Sequence, residues 1–265
     1  MNNVTASPRG ITSKIVDVGG ALANTFCPKP QVCPDCGCNH EDITALCDPC
    51  TTLRLEAIRA EERREDLGRK KEAWFDICPP AYRKTDWSRR ELSPVLAKIA
   101  TAWQMTAGKP FLILYGRTGR GKTRAGFAVL RRMLIAGYSV HAVHAGDAWD
   151  KGYHVQGLSS AARLRHDDDR RMADEADSCI DKAKSAQYLL IDDLGKERTG
   201  RDGKVSEAVA ETLFGVIERR LSFRQPTIIT TNLSWGDVMK RFATDRGYPL
   251  IRRIDEETAE FPTIS

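Results

Sequence analysis

No stretch of this 265-residue chain approaches the roughly 20 consecutive apolar residues that a bilayer crossing needs, so no helical membrane span is expected. The opening residues, Met1 to Gly10, carry neither a basic start nor an apolar run, and without a secretory leader to read the expectation is a cytoplasmic protein. No internal repeat is present. Neither sign of charge dominates: 41 Lys and Arg against 36 Asp and Glu leave a net charge of +5, which permits contact with nucleic acid without arguing for it. Cysteine is scarce outside one segment. Of eight, six fall between residues 27 and 50, and the isolated Cys78 and Cys179 read as small buried hydrophobes. A hydrophobic content of 41 % beside 29 % charged residues leaves ample material for a soluble core, and the length suits about two domains.

The crowded cysteines have the spacing of a metal site. Cys33-Pro-Asp-Cys36 and Cys47-Asp-Pro-Cys50 are C-x-x-C pairs whose Pro and Asp residues favour tight turns that aim both sulfurs at one ion. Four thiolates with no open position suit Zn²⁺ in a structural role, folding a segment too small to bury a core. Cys27, Cys38 and His40 lie near enough to replace one of the four, so the ligand set stays open. Around this module the chain divides by composition. Residues 1–26, rich in Ser, Thr, Asn and Gly, read as a flexible arm, residues 27–50 as the zinc-binding module, and residues 51–76 as a charged linker helix with a short apolar seam of Leu53, Ile58 and Leu67. Pro79-Pro80 breaks that helix, and residues 77–265 form the main domain.

In the main domain, the apolar run Phe111 to Tyr115 reads as a buried strand and is followed at once by Gly116-Arg-Thr-Gly-Arg-Gly-Lys-Thr123, a complete G-x-x-x-x-G-K-[ST] phosphate-binding loop. The helix the motif requires follows, from Lys122 to Ala136, and Gly137 ends it. The glycines Gly116, Gly119 and Gly121 let the backbone curl so that its N–H groups, with those of Thr118 and Arg120, face a phosphate. Lys122 reaches the β- and γ-phosphates of ATP, and the Thr123 hydroxyl is a ligand for Mg²⁺. Beyond the loop, strand and helix alternate, which argues for an α/β fold with a parallel sheet and helices on both faces. Leu92 to Met105 reads as a helix before it, Ser139 to His144 as a second strand, Leu158 to Lys184 as mostly helical, and Tyr188 to Ile191 as a third strand running into Asp192-Asp193. Four apolar residues followed by Asp place Asp192 as the second Mg²⁺ residue, opposite Thr123; the strand and helices between the two motifs resemble the P-loop class that inserts a strand between them, in which the next residue, here Asp193, stands beside the attacking water. A further helix, Val205 to Leu221, leads to the strand Thr227 to Thr231 and its polar tip, Asn232.

GRTGRGKT, YLLIDDLGKE, a helix ending IERRL and PTIITTN together resemble the DnaC/IstB-like branch of the AAA+ ATPases, the replicative helicase loaders and transposition helper ATPases. The resemblance runs from about Ile77 to Ile254. It implies a P-loop NTPase of the AAA+ type in which Asn232 senses the γ-phosphate and Arg253, with Arg252 as fallback, is an arginine finger supplied across a subunit interface. An arginine there would neutralise charge developing on the transferred phosphoryl group. Two departures stand out. Asp193 occupies a place where most AAA+ proteins have Glu, which implies slow turnover, with Glu197 able to assist from the loop. Few residues follow Arg253, so no full C-terminal lid is expected, and a neighbouring protomer would cover the nucleotide.

The resemblance further implies contact with single-stranded DNA, a helicase partner and homo-oligomers formed on ATP, DNA or partner binding. The better DNA candidate is the loop with Lys196, Arg198, Arg201 and Lys204. Arg163, Arg165, Arg170 and Arg171 are diluted by Asp167, Asp168 and Asp169 and read as a solvated helix face. Trp149 and Tyr153 read as core or interface residues rather than base-stacking ones, and His141 and His144 as structural residues of a strand. The Cys78-Pro-Pro-Ala-Tyr82 segment either borders the adenine or is a plain turn. By analogy the zinc module docks the partner. The expected activity is slow ATP hydrolysis in a helicase loader for DNA replication. A transposition helper that selects target DNA shares every motif, and a zinc-bearing adaptor with a degenerate ATPase is the further alternative.

Overall fold

The sheet forms from four short runs of aliphatic and β-branched residues whose alternate side chains bury on opposite faces. The computed structural model describes residues 31–40, 46–84, 92–103, 108–147, 157–197, 199, 205–242 and 247–258. The chain divides into two compact units, residues 1–63 and 64–265. The division falls inside the charged helix rather than at its expected end, because Trp74 and Cys78 near that end bury among Leu112, Phe127 and Leu130 of the larger unit.

In the smaller unit, β1 (Gln31–Val32) and β2 (Asn39–His40) pair antiparallel across a tight knuckle. The N–H of Gly37 donates to Cys33 O at 2.8 Å and that of Cys33 to Cys38 O at 2.9 Å. The helix α1 (Asp48–Ile77) starts within the second C-x-x-C pair, three residues earlier than the expected Thr51. Asp48 complements the positive end of the helix, and Pro49 costs nothing in a first turn whose N–H groups have no partner within the helix. Leu53 and Ile58 of the expected seam are exposed.

The larger unit takes up the end of α1 and then α2 (Pro94–Ala102), shorter than expected because Ser93 caps it, its Oγ accepting from Leu96 N at 3.2 Å, with Pro94 in the first turn. The chain continues through β3 (Phe111–Tyr115), α3 (Lys122–Ile135), β4 (Val140–His144), α4 (Leu158–Leu164), α5 (Arg170–Ser185), β5 (Tyr188–Leu194), α6 (Glu207–Ser222), β6 (Thr227–Thr231), α7 (Trp235–Arg241) and α8 (Gly247–Glu256). The strands lie side by side in the order β3-β6-β5-β4, all parallel. Strand β6 thus separates the phosphate-loop strand from the one that carries Asp192. After α8 the chain touches the β3 edge, Phe111 N donating to Glu257 O at 3.2 Å.

Alternation along β5 shows how the sheet is covered. Leu189 and Ile191 join Ile229 in the core beneath α5 and α6, whereas Leu190 joins Leu112, Leu114 and Ile228 beneath α2 and α3. The expected α/β fold with helices on both faces is present. Helix α3 lies so close to β5 that a Cβ on Gly126 would meet Leu190 Cδ1 at 2.8 Å. Parallel strands all point their carboxyl ends one way. Tyr115, His144, Asp192 and Thr231 therefore finish along one rim, where open α/β sheets bind ligands. Cys78 and Cys179 are buried as expected, and burial pushes their thiols up to about 12 and about 11. No helix among the described residues is long and apolar enough to cross a membrane.

Candidate functional site

The phosphate loop turns between β3 and α3. Gly119 and Gly121 adopt φ of +81° and +84°, a region open to glycine at no steric cost. Gly121 is the N-cap of α3 and supplies no side-chain hydrogen bond, which leaves the first N–H groups of the helix directed at the loop concavity. Thr118, Gly119 and Arg120 are exposed, Gly116 and Thr123 partly so. Lys122 is buried, and its Nζ donates to Gly116 O and Arg117 O at 2.9 Å and to Asn232 Oδ1 at 2.8 Å. Burial lowers its pKa, while Asp193 and Asp192 oppose the shift.

Asp192 and Asp193 stand where the ladder between β5 and β6 slips register, between Ile191 and Leu194. The bulge puts Asp193 at φ +56°, in the left-handed region that side chains seldom occupy, and aims it away from the regular ladder. Thr230 secures both residues: its Oγ1 accepts the Asp193 N–H at 2.9 Å and donates to Asp192 Oδ1 at 2.6 Å. Asn232 Nδ2 donates to Asp193 Oδ1 at 3.0 Å. Because an ammonium only donates and a carboxylate only accepts, the Asn232 amide has one orientation, and Lys122, Asn232 and Asp193 form one chain. Oxygen donors of this kind suit Mg²⁺, for which Thr123 and Asp192 are the candidate ligands.

His144 belongs to this cluster, a correction to its reading as a structural residue of a strand. The parallel register sets His144 opposite Asp192, and its Nε2 lies 3.8 Å from Asp193 Oδ2. Its Nδ1 accepts the N–H of Gly146 at 3.1 Å, so Nε2 carries the proton and faces the carboxylate. Ligand atoms of His144, Asp192 and Asp193 all lie within 4.8 Å of one another. The imidazole holds the Asp193 carboxyl below its ordinary value of 3.8, against the opposing effect of burial. Only strand register could reveal this neighbour. His141 joins no such cluster among the described residues, and burial lowers it to about 4.

Glu197 does not reach into the cluster as the sequence reading allowed. Its Oε1 accepts from Gly195 N at 3.1 Å, its Oε2 lies 3.7 Å from Arg241 Nε, and Arg241 Nη2 donates to Glu197 O at 2.7 Å. The carboxylate ties the loop after β5 to α7. Arg253 lies on α8, half-exposed, 3.9 Å from Glu218 Oε1 of α6, and Arg252 pairs with Glu256 at 3.0 Å. Among the described contacts neither arginine joins the Lys122–Asn232–Asp193 chain. Arg163, Arg165 and Arg171 each face a carboxylate, Asp147, Asp177 and Glu175, at 2.7 to 3.3 Å, in keeping with a solvated face. Tyr82 stacks on Phe127 with centroids 5.3 Å apart and has the Arg124 guanidinium 5.5 Å from its ring. Trp149, Tyr153, Arg198, Arg201 and Lys204 lie outside the described residues, as do Cys27 and the arm at 1–26.

In the smaller unit, the Sγ atoms of Cys33, Cys36, Cys47 and Cys50 lie within 4.8 Å of one another. A tetrahedral zinc with bonds of about 2.3 Å sets its sulfurs about 3.8 Å apart, so the four fit the ion. Cys38 also approaches, its Sγ 3.2 Å from that of Cys36. The thiols divide in their proton affinity. Backbone N–H groups, that of Cys47 foremost, lower Cys33 to about 6, whereas sharing with the Cys36 sulfur raises Cys38 to about 12 and also raises Cys50. Crowded sulfurs cannot all ionise without a compensating cation.

No protein-family model and no curated protein matches the chain. Solved structures do. The DnaC helicase loader is 20 % identical over 68 % of this chain and 97 % of its own, with a TM-score of 0.48. A DNA replication initiation factor is 15 % identical over 67 % and 49 % of the two chains, TM-score 0.48, and AMPPCP-bound DnaA from Aquifex aeolicus 15 % over 69 % and 50 %, TM-score 0.47. This chain spans about half the length of those last two proteins.

Proposed function

We propose that the chain binds ATP with Mg²⁺ at the phosphate loop and hydrolyses it slowly, as an assembly-dependent helicase loader in DNA replication. The observation that carries this reading is the hydrogen-bonded chain from Lys122 through Asn232 to Asp193. It couples the phosphate loop, the tip of β6 and the acidic end of β5, the three places where a γ-phosphate and its attacking water need contacts. Mg²⁺ would neutralise phosphate charge between Thr123 and Asp192. Lys122 binds the phosphates, Asn232 orients, and Asp193 accepts a proton from water. In this reading Arg253 leaves Glu218 to serve the nucleotide of a neighbouring protomer, the 196–204 loop contacts single-stranded DNA, and the zinc module docks the helicase. Slow turnover follows from Asp193, a short carboxylate already engaged by Asn232 with His144 alongside. That engagement also favours the second reading, an adaptor that holds nucleotide without turning it over.

Steady-state ATP hydrolysis decides between them, measured for the wild type and Arg253→Ala across protein concentration, with and without single-stranded DNA. Turnover that rises with concentration, responds to DNA and is lost in Arg253→Ala supports the loader. Tight ATP binding with no turnover under any condition supports the adaptor, and DNA-independent turnover at constant specific activity sinks both.

A further inference from the structure

The last three turns of α1 and the end of α3 enclose a groove of about 790 Å³ on the larger unit, away from the phosphate loop. Its apolar residues are Leu67, Trp74, Phe75, Leu134 and Ile135, and three of them stay exposed, Leu67 at 63 %, Phe75 at 41 % and Ile135 at 59 %. Its charged residues are Lys70, Lys71, Arg83, Lys84 and Arg131. No acidic side chain lines it among the described residues. The lining itself carries one sign of charge around an apolar floor, with Asp66 beside it paired to Lys70.

We propose that this groove docks an amphipathic helix with acidic flanks, supplied by a partner protein. Charge complementarity sets the sign of the partner: Lys71 and Lys84, with Arg83 at the wall, would gain counter-charges at a rim where Coulomb attraction also speeds encounter. Spacing sets its form. Leu67, Lys71, Trp74 and Phe75 recur at helical intervals on one face of α1, and the stretch from 67 to 75 spans about 12 Å at 1.5 Å per residue, two turns for a second helix to lie against. A nucleic acid strand fits less well. The exposed ring of the groove, Phe75, already carries Lys71 at 5.7 Å and Arg83 at 4.9 Å from its centroid, and the rest of the exposed floor is aliphatic, which offers a base little to stack on. Lys70 is the least available cation, since Asp66 holds it at 2.8 Å and its Nζ donates to Ile135 O at 3.2 Å. Arg83 donates to Cys78 O and Phe75 O at 3.0 and 2.9 Å, which fixes its guanidinium at the groove wall.

The full-length protein is titrated against a fluorescein-labelled synthetic amphipathic helix of Leu and Glu, its sign-reversed form with Lys for Glu, and labelled oligo-dT, with anisotropy as the readout. The Glu peptide is expected to bind, more weakly as salt rises, and to lose about tenfold in affinity to the Lys71→Glu/Lys84→Glu double variant and to Leu67→Asp. Both substitutions alter exposed side chains, so circular dichroism and ATP affinity should stay at wild-type values, which separates this surface from the nucleotide site. Should Leu67→Asp lose helicity, Leu67→Gln replaces it. Equal binding of the two peptides, undiminished binding to the Leu67 variant, or displacement of the Glu peptide by oligo-dT with the same charge-variant sensitivity would overturn the proposal.

Discussion

Lys122 illustrates how one side chain gathers three separate sequence motifs. Its ammonium meets two loop carbonyls and Asn232, so Lys122→Ala removes a cation together with charge-assisted contacts each contributing about 1.5–3 kcal/mol. ATP affinity, followed with a fluorescent nucleotide, should fall by about tenfold to a hundredfold, which is the factor that 1.5–3 kcal/mol gives. Glu197 carries a pH prediction. Burial raises its carboxyl above the ordinary 4.5, so the native state keeps a proton that the unfolded chain releases. Its contribution is thus fullest below the unfolded value and declines as pH rises through the folded one. Glu197→Gln keeps an acceptor for Gly195 N and removes that decline. In paired thermal melts, the stability of the variant relative to the wild type should rise with pH across that window, and a constant difference would contradict the assignment. Lys122, Thr123, Asp192, Asp193 and Asn232 were readable as candidates because each motif is local in the chain. His144 was not, since its role arises from lying opposite Asp192 in a strand far away in sequence.

At the scale of elements, the end of α6 is held by an arginine that donates to backbone carbonyls and to neutral side-chain oxygens. Arg220 is fully buried and donates to Ala183 O at 3.0 Å, Ala186 O at 2.8 Å, Pro226 O at 2.6 Å and Thr227 Oγ1 at 2.7 Å, joining the C-terminal ends of α5 and α6 to the start of β6. Burial lowers it to about 9. Arg220→Ala leaves several buried oxygens without a donor, at about 1–3 kcal/mol for each that stays unsatisfied. A loss of at least about 3 kcal/mol in denaturant unfolding is expected, with the phosphate loop intact in whatever fraction remains folded. The IERRL motif pointed to this helix through family likeness, yet nothing local distinguishes buried Arg220 from its neighbour Arg219, which lies over the Phe223 ring on the surface. Strand positions were legible at high resolution. Phe111–Tyr115 and Thr227–Thr231 coincide with their sequence-based bounds, because short apolar runs between turn residues admit few registers. The start of α1 was missed because a helix can begin inside a cysteine knuckle, which spacing alone reads as loop.

For the whole molecule, the two units depend on different sources of stability. The larger has cores on both sheet faces, whereas among its described residues the smaller has little beyond Cys33, Cys47 and Cys50 with Leu46 packed against them. Structural zinc contributes about 10–16 kcal/mol in small Cys-rich modules, so a chelator should open the smaller unit and leave the larger one's cooperative transition in place. Limited proteolysis read by mass, with zinc released to a chromogenic chelator, checks this: cleavage confined to the first 63 residues is expected, and resistance of that segment after metal loss would show that zinc does not hold it. Sequence by itself determined the phosphate loop, the acidic strand end, the metal-type cysteine spacing and the α/β order, since each rests on residues adjacent in the chain or on a periodicity within one element. Tertiary structure alone decided that His144 faces Asp193, that Glu197 is spent on Arg241, that Arg220 is buried, and that α1 and α3 leave a cationic groove between them. Those facts depend on strand register and helix packing, which bring distant residues within a few ångströms and leave no local trace in the sequence.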